Sequence, residues 1–101
     1  MIVIAGTLPV QPDKKADAEA ACKKMSAASK AEDGCGAYEF SWDIHDPNLL
    51  RIHEQWESQS AIDAHFQTPH MAEFGGALGG LLGGAPAITR FEVSSYGPLG
   101  G

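Results

Sequence analysis

Four histidines are the side chains of this sequence best suited to moving protons near neutral pH. His65 closes an apolar helical pattern and His70 follows five residues later, so either ring could accept a proton from a ligand. The alternative is that His65 only ends the helix with a polar side chain and takes part in no chemistry. His70 could instead form an exposed polar pair, or share a metal or proton, with Glu73 three residues on. His53 is typical of a hydrogen-bonded interface residue on a strand, and His45 is expected to be solvated in a turn.

A carboxylate and several aromatic side chains are predicted to share one face of a sheet. Glu54 and Trp56 alternate along one strand pattern, and Tyr38 has the matching parity in its neighbour. A buried carboxylate with no Lys or Arg beside it has a raised pKa. A dry aromatic cleft with a few polar groups is typical of a small-ligand site, although an ordinary core is the alternative. The candidate ligand-contacting residues are Tyr38, Phe40, Trp42, Trp56, Phe66 and Phe74.

The elements that must position these side chains follow from periodicity and turn residues. Alternating patterns predict strands, and apolar residues at three- and four-residue spacing predict helices. Ser58 and Thr68-Pro69 are helix-start signals, and Asp33-Gly34 is a helix-end signal. The predicted strands are 2–8, 37–43, 50–56 and 88–95, and the predicted helices are about 12–31, a short one after 58 and one from 69 toward 82.

Six glycines lie in the segment 75–84. Each glycine costs a helix about 1 kcal/mol relative to alanine. The last helix is therefore expected to be loosely held, or to break before Leu82. This segment is the predicted lid of the pocket, because weakly stabilised segments are the first to open.

The order β-α-β, β-α-β predicts a ferredoxin-like α+β fold with a four-stranded antiparallel sheet and helices on one face. The chain is predicted to be a single domain, 1–101, with its core at about 1–96. The other face of the sheet would be left uncovered, so we expect a second copy to cover it in a homodimer.

Composition and charge exclude several classes of partner. Seven Lys plus Arg against thirteen Asp plus Glu give a net charge of −6 and no basic stripe, so nucleic acid and anionic membrane surfaces are not expected partners. The apolar runs are too short to span a membrane, and no signal peptide is recognised at the N-terminus. Cys22 and Cys35 are expected to be buried, reduced thiols in a cytoplasmic protein.

Several catalytic motifs are missing from the sequence. It has no phosphate-binding loop ending in Lys-Ser or Lys-Thr and no Gly-x-Ser-x-Gly turn. The glycines of 75–84 follow a helix rather than a strand, so they do not match a dinucleotide fingerprint. Cys and His show no zinc-type spacing either.

One stretch is specific enough to suggest a family. Glu54-x-Trp56-x-Ser58, followed by Ala64-His65 and Pro69-His70, resembles the antibiotic biosynthesis monooxygenase family. The likeness covers about residues 1–96, and it implies a dimeric α+β barrel.

The resemblance also implies a function. Some members oxidise anthrones or quinols with dioxygen and use no cofactor, which predicts a small aromatic hydroxy substrate and neither cofactor nor metal. The protein must then hold the substrate as its anion in a water-poor pocket. His65 is the predicted base, and His70 and Glu54 are the other candidates.

Other branches of the family define the alternatives. The haem-degrading branch is disfavoured, since it relies on an Asn in the first strand that residues 2–8 do not contain. A branch that isomerises small phosphorylated sugars would need cationic groups, for which Arg90 is the candidate. A ligand-binding dimer without chemistry is the remaining possibility.

Overall fold

The computed structural model describes residues 1–100, which fold as one four-stranded antiparallel sheet with helices packed on one face. The strand order is β2-β3-β1-β4, which confirms the ferredoxin-like α+β prediction. The strands are β1 (Ile2–Pro9), β2 (Cys35–Trp42), β3 (Leu49–Trp56) and β4 (Ala87–Glu92). The helices are α1 (Lys15–Lys30), which follows a 3-10 turn at Pro12–Lys14, α2 (Gln59–His65) and α3 (Pro69–Leu78).

The central position of β1 explains why its apolar residues alternate onto both faces. It pairs with β3 on one side and with β4 on the other. Ile4 lies opposite Glu54 on the face that the helices cover, and Ala5 lies opposite His53 on the other face. Tyr38 of β2 lies opposite Glu54 of β3. The prediction that these two residues share one face of the sheet is therefore confirmed.

Helix α1 packs against the sheet through a buried face of mostly small side chains. Its buried residues are Ala18, Cys22, Met25 and Ser29, which repeat at three- and four-residue spacing. The turn after α1 reverses at Gly34, whose φ of 84° is the left-handed conformation predicted for a helix-end glycine. This turn carries the chain from α1 into β2.

Two side-chain caps fix where α2 and α3 begin. Ser58 accepts a hydrogen bond from the backbone N–H of Ala61, and Thr68 accepts one from Met71. Both caps were predicted. The Thr68 hydroxyl also donates to the carbonyl of His65 at 2.7 Å, so it ties the end of α2 to the start of α3. His65 and His70 are thereby held in a fixed relation.

The glycine-rich segment leaves the helix early, as its composition predicts. Helix α3 ends at Leu78, and Leu82 forms an isolated bridge with Val10. The Gln11 amide donates hydrogen bonds to the carbonyls of Gly80 and Leu82, and these bonds hold the segment against the chain just after β1. Its role as a lid stays a prediction.

The last strand borders solvent along its whole length. All six residues of β4 are exposed, and β4 is shorter than the predicted 88–95. The outer face of the sheet carries exposed side chains, among them Phe91, Arg51 and His53. Among the described residues, no helix is long and apolar enough to cross a membrane.

Gly6 in β1 is required by the close approach of β4. A Cβ at this position would overlap the carbonyl oxygen of Ala87 and lie 2.6 Å from the Cα of Ile88. Because both are backbone atoms, Gly6→Ala is expected to lower the free energy of unfolding by about 2 kcal/mol, measured by urea denaturation. Gly75→Ala in α3 is the control, since nothing lies within 4 Å of its added Cβ. It is expected to raise stability by up to about 1 kcal/mol. A Gly6→Ala protein as stable as the original would contradict this account.

Candidate active site

A cavity of about 290 Å³ lies between the sheet and helices α2 and α3, where the pocket was predicted. This volume is close to the lower end of the range for small-molecule sites. Most of its lining is apolar, and the polar members come from β2, β3, β4 and α2. The lining residues are Ile4, Leu8, Tyr38, Ile52, Glu54, Gln59, Ile62, His65, Phe66, Met71, Phe74, Leu78, Ile88 and Arg90.

His65 is the imidazole at the wall of this cavity. It is the last residue of α2 and is only 2% exposed. Its ring centroid lies 4.7 Å from that of Trp56 and 5.5 Å from that of Tyr38. Packing between two aromatic rings holds the imidazole in one orientation, which is what a proton acceptor needs.

Glu32 is the functional candidate that sequence reasoning missed. Its Oε2 lies 2.6 Å from Nδ1 of His65 and 2.7 Å from Nε2 of His70. The backbone of Glu32 is fixed in the turn after α1, since its N–H donates to Ser29 and its carbonyl accepts from Cys35. One carboxylate oxygen therefore joins both helix histidines.

A weak signal for Glu32 does exist in the sequence. A carboxylate just beyond the C-terminus of a helix faces the negative end of the helix dipole, which disfavours it. Glu32-Asp33 follows the C-cap residue Ala31 at the end of α1, so some other contact must compensate. The partners themselves could not be read from the sequence, because they lie 33 and 38 residues away.

Glu54 is buried in the middle of the covered face and has a raised pKa, as predicted. Burial is the main cause, and the hydrogen bond that Trp56 Nε1 donates to Glu54 Oε1 at 2.8 Å opposes it. Trp56 is 0% exposed and lies outside the cavity lining. The structure thus places Trp56 as support for Glu54 and His65. Its predicted stacking on a ligand stays a prediction.

The raised pKa of Glu54 makes the stability of the protein depend on pH. The folded state favours the neutral carboxyl, so this contribution is greatest below the ordinary value of 4.5 and falls as pH rises through the raised pKa. Glu54→Gln keeps an oxygen for Trp56 and removes the charge. We expect the melting temperature of the variant, relative to the original, to be higher at pH 7 than at pH 4.5. Glu39→Gln, at an exposed position of β2, is the control. An equal offset at both pH values would contradict the assignment.

Tyr38 faces the same cavity as a neutral phenol. Burial raises the pKa of its hydroxyl, and the nearby Glu54 carboxylate raises it further. The hydroxyl therefore keeps its proton at physiological pH and is suited to donating a hydrogen bond to an anionic ligand.

The other predicted aromatic residues divide between two regions. Phe66 and Phe74 line the cavity, and Phe66 is 53% exposed at its rim. Phe40 packs on Phe74 with centroids 5.6 Å apart. Trp42 lies in a separate recess against α1, where its Nε1 donates to Glu19 at 2.8 Å. Trp42 therefore links α1 to the sheet. Phe40 does not line the cavity but packs behind Phe74, which does.

The remaining histidines have other partners. His70 lies in the first turn of α3, as predicted, but its side chain turns to Glu32, and Glu73 pairs with Lys24 at 2.6 Å. The predicted pairing of His70 with Glu73 is therefore wrong. His53 Nε2 lies 3.0 Å from Gln55 Nε2 on the outer face, and His45 is exposed in the hairpin turn.

Arg90 brings a positive charge to the cavity rim from β4. Its Nε donates to Gln59 Oε1 at 2.9 Å, and both residues belong to the lining. The sequence could not fix the face on which Arg90 lies. The register answers this, because Arg90 pairs with Ile4 on the covered face.

The family model described as "Antibiotic biosynthesis monooxygenase" matches residues 1–76. The chain belongs to this family. The match includes the three residues that sequence reasoning proposed as bases, namely Glu54, His65 and His70, and it also includes Glu32.

Two curated proteins resemble this chain in sequence. An uncharacterized Synechocystis protein, sll1783, is 40% identical over 93 residues, which cover 92% of this chain and 63% of that protein. The chain thus spans under two thirds of that relative. A Mycobacterium tuberculosis protein named "Putative monooxygenase Rv0793" is 32% identical over 87 residues, 86% of this chain and 84% of that protein.

Solved structures confirm the fold. A Deinococcus radiodurans family structure superposes with a TM-score of 0.90 at 26% identity, covering 98% of both chains. The structure of Rv0793 superposes with a TM-score of 0.88 over 96% of this chain and 98% of that one, at 24% identity.

Proposed function

We propose that this protein is a cofactor-independent monooxygenase that oxidises a small aromatic hydroxy compound or quinol with dioxygen. The observation that carries the proposal is the buried His65 ring at the cavity wall, whose Nδ1 lies 2.6 Å from the Glu32 carboxylate. When Nδ1–H donates to Glu32, Nε2 is the nitrogen left to accept a proton. Membership of the family supports the same class of reaction.

The first step is the formation of the substrate anion. His65 takes the proton of the aromatic hydroxyl, and Glu32 holds the imidazole in the tautomer that can do so. The neutral hydroxyl of Tyr38 then donates a hydrogen bond to the resulting oxyanion. The apolar lining limits water in the cavity, which strengthens both interactions.

The electron balance of the oxidation needs no external reductant. For an anthrone, the anion passes an electron to dioxygen, and a carbon–oxygen bond forms at the ring carbon that is a CH₂ group in the neutral keto form. Loss of water from the resulting hydroperoxide leaves a carbonyl group. One oxygen atom enters the product and the other leaves as water, so the anthrone supplies all four electrons that reduce dioxygen. A quinol without such a carbon supplies two electrons and two protons, which gives a quinone and hydrogen peroxide.

Oxygen uptake tests the proposal directly. Purified protein in metal-free buffer is supplied with an anthrone or a menadiol-like hydroquinone, and oxygen consumption is compared with a protein-free blank. With ¹⁸O₂ and an anthrone, the ketone product is expected to carry one labelled oxygen. A broad panel that binds without turnover would instead support a ligand-binding protein without chemistry.

A second candidate function is favoured by Arg90 alone. Its place on the cavity rim suits an anionic substituent such as a phosphate, which an isomerase of small phosphorylated sugars would bind. Conversion of a phosphorylated ketose in the absence of oxygen would support this function over oxidation. The largely apolar lining favours an aromatic substrate.

We also propose a homodimer formed through the outer face of the sheet. Phe91 is 50% exposed there, and Val3 and Ala5 of the central strand lie on the same face. A monomer of 10.6 kDa in sedimentation at micromolar concentration would exclude it.

We further propose that the protein is cytoplasmic and that its two cysteines are reduced. Both cysteines are free thiols in the structure, Cys22 buried as predicted and Cys35 only half-buried. Burial, helped by Glu19, raises the pKa of Cys22 to about 12, which makes it unreactive. Thiol titration of protein purified from cytosol should find both cysteines reduced.

A further inference from the structure

Three potential metal ligands meet beside the cavity, from three different elements. Glu32 comes from the turn after α1, His65 from the end of α2 and His70 from the first turn of α3. Their ligand atoms all lie within 4.8 Å of one another. We propose that these residues bind one first-row divalent cation of the Zn²⁺ or Co²⁺ type.

The distances fit such an ion after a small side-chain adjustment. Oε2 of Glu32 lies 2.6 Å from Nδ1 of His65 and 2.7 Å from Nε2 of His70. Metal–ligand bonds of about 2.0–2.2 Å in a tetrahedron put neighbouring ligand atoms about 3.3 Å apart. The carboxylate and the two rings must therefore separate by little more than half an ångström. The two ring nitrogens lie at most 4.8 Å apart and must reach the same spacing, which rotation of the His side chains has to provide.

The donor set suits a borderline cation. Two neutral imidazoles and one carboxylate give a net charge of −1, and nitrogen with oxygen ligands is a combination that zinc, cobalt and nickel accept. Three protein ligands leave a fourth position for water. The ligand backbones are already fixed, since Glu32 is held by the turn and Thr68 joins α2 to α3.

An ion can reach the site from the surface through His70. The His70 side chain is 20% exposed and borders a small surface recess that Lys24 and Glu73 also line. The charge of Lys24 opposes a cation there, but its ammonium is paired with Glu73 at 2.6 Å. His65, in contrast, is almost fully buried and forms the inner wall of the site.

Occupation of this site would have a consequence that rests on the proposed function. A cation on Nδ1 of a neutral imidazole leaves the remaining proton on Nε2. His65 could then donate from Nε2 but no longer accept a proton there. The ion is therefore expected to inhibit oxygen uptake, and a chelator should restore it.

The test measures binding without reference to turnover. Tag-free protein, stripped with EDTA and dialysed, is titrated with Co²⁺ and with Zn²⁺. We expect one equivalent of each by calorimetry, and visible absorption bands of a tetrahedral Co²⁺ site that Zn²⁺ abolishes. His70→Ala and Glu32→Gln are each expected to weaken binding by about tenfold or more. His45→Ala, which removes an exposed histidine, is the control and should bind like the original.

The outcomes separate this proposal from the proposed function. Absence of saturable binding, or equal weakening by His45→Ala and His70→Ala, would overturn the metal site. Unchanged binding in Glu32→Gln would do the same. Melting curves establish that each variant is folded, and His70→Gln replaces His70→Ala if the alanine variant is not. A tetrahedral Co²⁺ spectrum in a protein without oxygen uptake would support the site and remove the proposed oxidation.

Discussion

Replacing His65 with alanine is expected to lower turnover of an anthrone or quinol substrate by about 10²-fold or more. The reason is that His65 lines the cavity and its Nδ1 is engaged by Glu32, which leaves Nε2 to accept the substrate proton. Binding of the quinone product should change far less, since most of the lining is apolar. Oxygen uptake measures the first quantity and fluorescence titration measures the second.

A second variant separates the loss of the base from the loss of packing around His65. The ring contacts Trp56 and Tyr38, so alanine also removes buried surface. His65→Gln fills more of that space but cannot act as a base. Both variants should lose turnover to a similar degree, while His45→Ala in the exposed hairpin turn should not. Full activity in His65→Gln together with loss of activity in Glu54→Gln would move the role of base to Glu54.

Replacing Glu32 with alanine is expected to lower the free energy of unfolding by about 3 kcal/mol. Two charge-assisted hydrogen bonds are lost, and the buried His65 Nδ1 is left without its carboxylate partner. Glu73→Ala is the matched control, because that carboxylate is also paired but its side chain is 60% exposed. It should change stability by no more than about 0.5 kcal/mol. Chemical denaturation of both variants gives the comparison.

The Glu32 variants also separate positioning from a purely structural role. Glu32→Gln keeps the shape of the side chain but no longer offers a charged acceptor that fixes the His65 tautomer. We expect a lower kcat with KM nearly unchanged, since Glu32 is absent from the cavity lining. If stability falls while kcat does not, Glu32 is a structural residue only.

The sequence by itself determined the elements and much of the cavity wall. Strand alternation and the caps at Ser58 and Thr68 are local signals, because a hydrogen-bonded cap needs only the next three residues. They were enough to place His65 at the end of one helix and His70 at the start of the next. The parity of Tyr38 and Glu54 then put both on the covered face, because successive side chains in a strand alternate between faces.

Only the tertiary structure decided how these side chains are used. Glu32 meets His65 and His70 across more than thirty residues, and Arg90 reaches the cavity rim through the register of β4 with β1. Periodicity states which face a residue occupies, but not which residue of another element lies against it. That depends on the packing of α1 beside α3 and on strand order, which are set by the whole core rather than by any local stretch of sequence.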